Sequence, residues 1–220
     1  MPATGTNPKQ QNSKSIRLTA DGFSFYDGRE VALVVGRSTW MPLREFNAAA
    51  VDYIYNKVYA PAERPSVVRY NILPTLEVVE LWSVGRDTYE QLRADHPYHR
   101  WMGADGAVLE TVAHYDALCS SANRLYAYLH DGEMFVFSYR DRSLFYANSF
   151  WPRSDEEARY FLLAAWRRLA FDAEKDECLL LGDHEALLPL LAPYLRHVGP
   201  LTNDMLRLPA SDLPLDLLCV

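Results

Sequence analysis

Two Asp-Gly pairs carry the first hint of chemistry: Asp21-Gly22 within "SIRLTADGFSFYDGREVALVVG" and Asp131-Gly132 within "RLYAYLHDGEMFVFSYRDRSLFYANSF". Backbone amides in tight glycine turns cradle anions. Asp-Gly between apolar runs is also among the strongest hairpin-turn signals. Each pair therefore reads as an anion cradle or as plain turn chemistry. Gly182-Asp183 closes the short apolar run "ECLLLGD" and suits a strand end followed by a helix N-cap. His96 and His99 in "DHPYHRW", with Asp95 and a distant His114, have a spacing that can serve a metal. No Cys and no helical His-Glu-x-x-His frame accompanies them, and a polar loop opened by Pro97 is the favoured reading. His130, His184 and His197 are isolated and suit surface or capping roles. Cys119 and Ser120-Ser121 lack a nucleophile frame. Glu156-Glu157 lie in a helix first turn, where the dipole accounts for them. Trp82, Trp101, Trp151 and Trp166 read as core residues; two Trp or Tyr exposed together would mark a partner surface.

The totals narrow the function classes. The 220 residues are 49% apolar, 13% aromatic and 23% charged, which suits a folded chain with a real core. The formal net charge is −7, and the longest basic cluster is Arg167-Arg168. Phosphate-backbone affinity comes largely from Lys and Arg, so nucleic acid is not the expected partner. Cys119, Cys178 and Cys219 are odd in number and far apart, which excludes a disulfide framework and fits a reducing, cytoplasmic address. No run approaches the length of a membrane span. Residues 1–14 are polar and read as a tail without a signal peptide.

These residues need elements to hold them. Ile16 and Leu18, then Phe23 and Phe25, then Val31, Leu33 and Val35 predict three antiparallel strands joined by Asp21-Gly22 and Asp27-Gly28. A helix is expected from about Pro42 to Tyr59. Strands follow at Val67–Tyr70 and Leu76–Val84, broken at Pro74, then helices near Asp87–Ala94 and Ala107–Leu118. A second meander covers Arg124 to Phe150, and its middle strand, apolar on both faces, reads as central. Ser154 and Glu157 form a capping box for a helix with Ala158, Phe161, Leu162, Ala165, Trp166 and Leu169 on one face. Cys178–Leu181 predicts a buried parallel strand. His184–Tyr194 predicts a helix weakened by Pro189 and Pro193. The tail from Pro209 is rich in Pro and Leu. The repeated order predicts a duplicated α/β unit: mixed sheets with flanking helices.

Three stretches, "SIRLTADGFSFYD", "LFYANSFWPRSDEEARYFLLAAWRRLAFD" and "CLLLGDHEALLPLLAPYLRHV", resemble a bacterial family of unknown function with an actin-like ATPase fold. Ser15 to Phe25, Asn148 to Phe161 and Leu179 to Gly182 carry the likeness. Together they cover roughly a third of the chain, and residues 60–120 match weakly. Assembly proteins of type IV pili and type II secretion are more distant likenesses. The resemblance implies two tandem ribonuclease-H-like subdomains, 15–122 and 123–220.

It also implies a nucleotide cleft between two hairpin turns, with Asp21, Gly22, Ser24, Asp131, Gly132, Gly182 and Asp183 as candidate residues and ATP and magnesium as candidate ligands. The sequence departs from the Asp-x-Gly-Thr pattern such clefts use. Phe23 follows the first Gly, and Glu133 places negative charge after the second, against a triphosphate. The favoured expectation is a fold that binds another protein, as a partner or scaffold, without hydrolysing ATP. A second copy of the chain is a further candidate partner. The competing expectation is an ATPase or kinase-like enzyme using Asp21 or Asp131. A metal-dependent nuclease would need three or four clustered carboxylates, and the spacing assembles none.

Overall fold

The computed structural model describes residues 14–19, 22–27, 31–60, 65–119, 123–130, 132–202 and 205. Asp21, Ser120, Ser121, Asp131, Cys219, the expected N-terminal tail up to residue 13 and the Pro- and Leu-rich tail lie outside the described residues. In chain order the elements are β1 (Lys14–Thr19), β2 (Gly22–Asp27), β3 (Val31–Val34), β4 (Ser38–Pro42), α1 (Val51–Val58), β5 (Ser66–Leu73), β6 (Val78–Gly85), α2 (Arg86–Asp95), β7 (Arg100–Gly103) and α3 (Ala104–Asp116). They continue with β8 (Arg124–His130), β9 (Glu133–Arg140), β10 (Ser143–Phe150), α4 (Asp155–Arg168), β11 (Glu177–Gly182), α5 (Leu188–Leu191) and β12 (His197–Pro200).

Three sheets result, ordered β2-β1-β3-β7, β4-β6-β5 and β10-β9-β8-β11-β12. In the last, β8, β9 and β10 form the expected antiparallel meander. β11 joins parallel to β8, and β12 parallel to β11. β9 is buried on both faces. Phe135, Phe137 and Tyr139 enter the core beneath α3, while Met134 and Val136 enter the core beneath α4.

The first half departs from the expected meander. β1 and β2 form a hairpin, but β3 runs parallel to β1 on its other side and parallel to β7. Val31 to Val34 is buried at every position, and a strand covered on both faces belongs inside a parallel sheet, not at an antiparallel edge. One pattern of four strands therefore occurs twice. β2-β1-β3-β7 and β9-β8-β11-β12 each place an antiparallel hairpin beside two parallel strands. The counterpart of β3 is β11, and β10 is an addition to the second half.

Other boundaries move for local reasons. The helix expected from Pro42 starts only at Val51. Ser38–Pro42 pairs with β6, and Leu43–Glu45 and Ala48–Ala50 form single 3₁₀ turns. The helix expected at 184–194 reduces to Leu188–Leu191, because Pro189 and Pro193 remove backbone donors. The α4 cap forms: Glu157 N–H donates to Ser154 Oγ at 3.3 Å, and Glu157 Oε2 accepts from Arg153 N–H at 2.7 Å, one residue before the cap. No described helix is long and apolar enough to cross a membrane.

α3 joins the two halves. Ala104 through Leu109, Thr111 and Val112 are buried, which marks a helix covered nearly all round. Tyr139 Oη donates to Leu109 O at 2.6 Å, and Trp40 stacks on Phe135 at 5.7 Å. The β5–β6 and β8–β9 hairpins thus both pack against α3.

Candidate functional site

The turn between β8 and β9 faces the N-terminus of α3. The register closes at His130 opposite Glu133, leaving a two-residue loop in which Gly132 has φ +76°. Asp105 on the first turn of α3 accepts from Ser38 Oγ at 2.5 Å, and its Oδ1 lies 3.5 Å from His130 Nε2. Glu80, on β6, approaches the same helix start and accepts from Gly106 N–H at 2.9 Å. Gly103, the N-cap, offers α3 no side-chain cap of its own. Glu80 supplies the acceptor from a neighbouring strand, where the helix dipole favours a carboxyl oxygen. Cβ atoms added at Gly103 or Gly106 would lie 2.2 Å from Glu80 oxygens. The two glycines make the space that Glu80 fills.

Glu80, Asp105, His130 and Glu133 are 0, 1, 4 and 6% exposed. Burial is the largest cause pushing the Glu80 carboxyl well above its ordinary range; the Asp105 charge adds to it, and the Gly106 amide opposes it. Glu133 is pushed up to about 7, by burial first and Asp105 second, against the opposing pull of Ser149, His130 and Arg37. Desolvation disfavours the charged form, so both acids hold a proton more tightly than they would in water. Glu80 Oε2 and Glu133 Oε1 are buried without a hydrogen-bond partner among the described residues. Around this centre Tyr55 Oη donates to Arg37 O at 3.0 Å, and Tyr59 Oη donates to Ser38 O at 2.5 Å.

Next to this cluster, at the carboxyl ends of β11 and β12, a concavity of about 630 Å³ is lined by Gly182, Asp183, His184, Glu185, Leu201 and Thr202. Carboxyl ends of parallel strands are where open α/β sheets place ligands. Gly182 adopts φ +73°, and a Cβ there would lie 1.9 Å from Leu129 O. The glycine lets β11 close on β8, and Asp183 N–H donates to the same Leu129 O at 3.0 Å. Asp183 is not a helix N-cap: α5 begins at Leu188 and is preceded by Leu187 without a side-chain cap.

Of the residues proposed from sequence, Gly132, Gly182 and Asp183 lie at one end of the five-stranded sheet. Gly22 and Ser24 lie on β2, at the edge of the four-stranded sheet. Asp21 and Asp131 are outside the described residues. Met134, just past the turn, packs beneath α4. Sequence spacing missed Glu80, Asp105 and Glu133 as a group, although three carboxylates do converge. Only the Gly103-x-x-Gly106 spacing at a strand-to-helix junction signalled a close approach there. Among the described residues no group of three or more His, Cys, Asp or Glu side chains could hold a metal. The His96 and His99 rings lie 4.8 Å apart, edge to face.

The sheets, their flanking helices and the shared α3 define an actin-like ATPase fold. A crystal structure of a protein from Bacteroides thetaiotaomicron VPI-5482, described as having an actin-like ATPase fold and unknown function, matches with a TM-score of 0.77 at 23% identity. That match covers 87% of this chain and 91% of the other. A type IV pilus biogenesis complex of PilM and PilN matches with a TM-score of 0.45 at 15% identity, over 87% of this chain and 71% of that one. No curated protein matches. Residues 26–198 match the model of the family described as protein of unknown function (DUF3822), and the chain belongs to that family.

Proposed function

We propose that this chain is a cytoplasmic binding protein that keeps the actin-like fold without hydrolysing ATP, its two lobes spanning 15–122 and 123–220. The observation that carries the reading is the β8–β9 turn. Its flank bears Glu133, buried beside Asp105, where a triphosphate would need positive charge or bare amides. The neighbouring concavity adds Asp183 and Glu185 and, among the described residues, no Lys or Arg. The unpaired thiols of Cys119 and Cys178 support a reducing compartment. Isothermal titration of the purified chain with ATP and magnesium tests the proposal. No heat of binding is expected, and micromolar affinity overturns it.

The concavity beside Gly182 favours a second reading, an ATP-binding enzyme with ATPase or kinase-like phosphotransfer activity that uses Asp21 or Asp131. It requires turnover that disappears in Asp21→Asn or Asp131→Asn. Activity unchanged in both variants would dismiss it.

A further inference from the structure

We propose that the groove along the outer flank of α4 docks an acidic amphipathic segment of a partner protein; this rests on the reading of the chain as a binding protein. The groove measures about 630 Å³ and runs between α4 and the loops around Phe171 and Tyr194. Its apolar lining includes Leu163, Trp166 and Phe171. Tyr160 and Tyr194 stand on it 66% and 53% exposed. Exposed aromatics gathered on one apolar surface mark an interaction site more than a scattered surface residue does. Trp, Tyr and Arg are also the side chains that dominate interface energetics.

Charge identifies the occupant. Arg159 and Arg167 line the groove, and among the described residues no carboxylate does, on a chain whose formal net charge is −7. Arg159 stands over the Tyr194 ring at 5.7 Å, which holds its guanidinium above the apolar lining. An apolar strip between two guanidiniums complements a segment that presents leucines flanked by Glu or Asp.

Fluorescence anisotropy with a labelled twelve-residue peptide of Glu-Glu-Leu-Leu repeats tests the proposal. Saturable micromolar binding is expected, with the Lys-Lys-Leu-Leu counterpart at least about 10-fold weaker. The double variant Arg159→Glu/Arg167→Glu reverses that preference. Tyr160→Ala/Tyr194→Ala weakens the acidic peptide about 10-fold, with the melting temperature unchanged because these side chains stand at the surface. No binding up to about 1 mM, or no response to either double variant, overturns the proposal. Self-association of the wild type that Tyr160→Ala/Tyr194→Ala abolishes in sedimentation velocity also overturns it and assigns the groove to a second copy. The ATP titration is independent, so failure of the groove and failure of the binding-protein reading are distinguishable.

Discussion

Replacing Glu133 by Gln tests the electrostatics of the buried cluster. The Glu133 carboxyl titrates near 7 in the fold, against an ordinary value of 4.5. The folded chain therefore holds this proton more tightly than the unfolded chain does. Its contribution to stability is complete below about pH 4.5 and is lost as pH rises through 7. A gap of about 2.5 pH units, at about 1.4 kcal/mol each, amounts to roughly 3 kcal/mol. Glu133→Gln keeps the shape and removes the charge that Asp105 repels. At pH 4.5 the variant and the wild type have similar stability. At pH 8 the variant is more stable by up to about 3 kcal/mol, a rise of roughly 6–12 °C in melting temperature for a chain of this size. Glu80 titrates upward too and slopes both profiles, so the difference between the two proteins isolates Glu133. Urea denaturation from pH 4.5 to 8 reads that difference. Parallel profiles, or a variant less stable at pH 8, would refute the burial of the Glu133 carboxyl beside Asp105 at this turn.

Two glycine substitutions test the packing around the site. Gly106→Ala drives a Cβ to within 2.2 Å of a Glu80 oxygen and is expected to destabilise by about 1–3 kcal/mol; adding Glu80→Ala recovers part of that loss in denaturant titrations, and a strictly additive double variant removes the proposed contact. Gly182→Ala combines left-handed backbone with a Cβ 1.9 Å from Leu129 O; a loss of about 2–4 kcal/mol follows, measured by thermal melting, and a neutral result contradicts the closure of β11 on β8.

Short-range signals were enough for much of this fold. Asp131-Gly132 with its flanking alternation specified the β8–β9 hairpin, because turn chemistry and period-two patterning act within a few residues. Ser154 and Glu157 specified the start of α4 for the same reason. The resemblance of three stretches to a family with the actin-like fold is likewise carried by local residue patterns. Partner choice among strands was another matter. The run Val31–Val34 is apolar in any register, and only packing between β1 and β7 decided that it runs parallel. The short strands Arg100–Gly103 and His197–Pro200 carry little apolar signal and become strands because longer neighbours offer them hydrogen bonds. The carboxylates of Glu80, Asp105 and Glu133 come from three elements, and nothing local to any one of them announces the others. They meet because α3 is buried between both halves of the chain. The raised proton affinity of Glu80 and Glu133 follows from that burial and not from the identity of the residues.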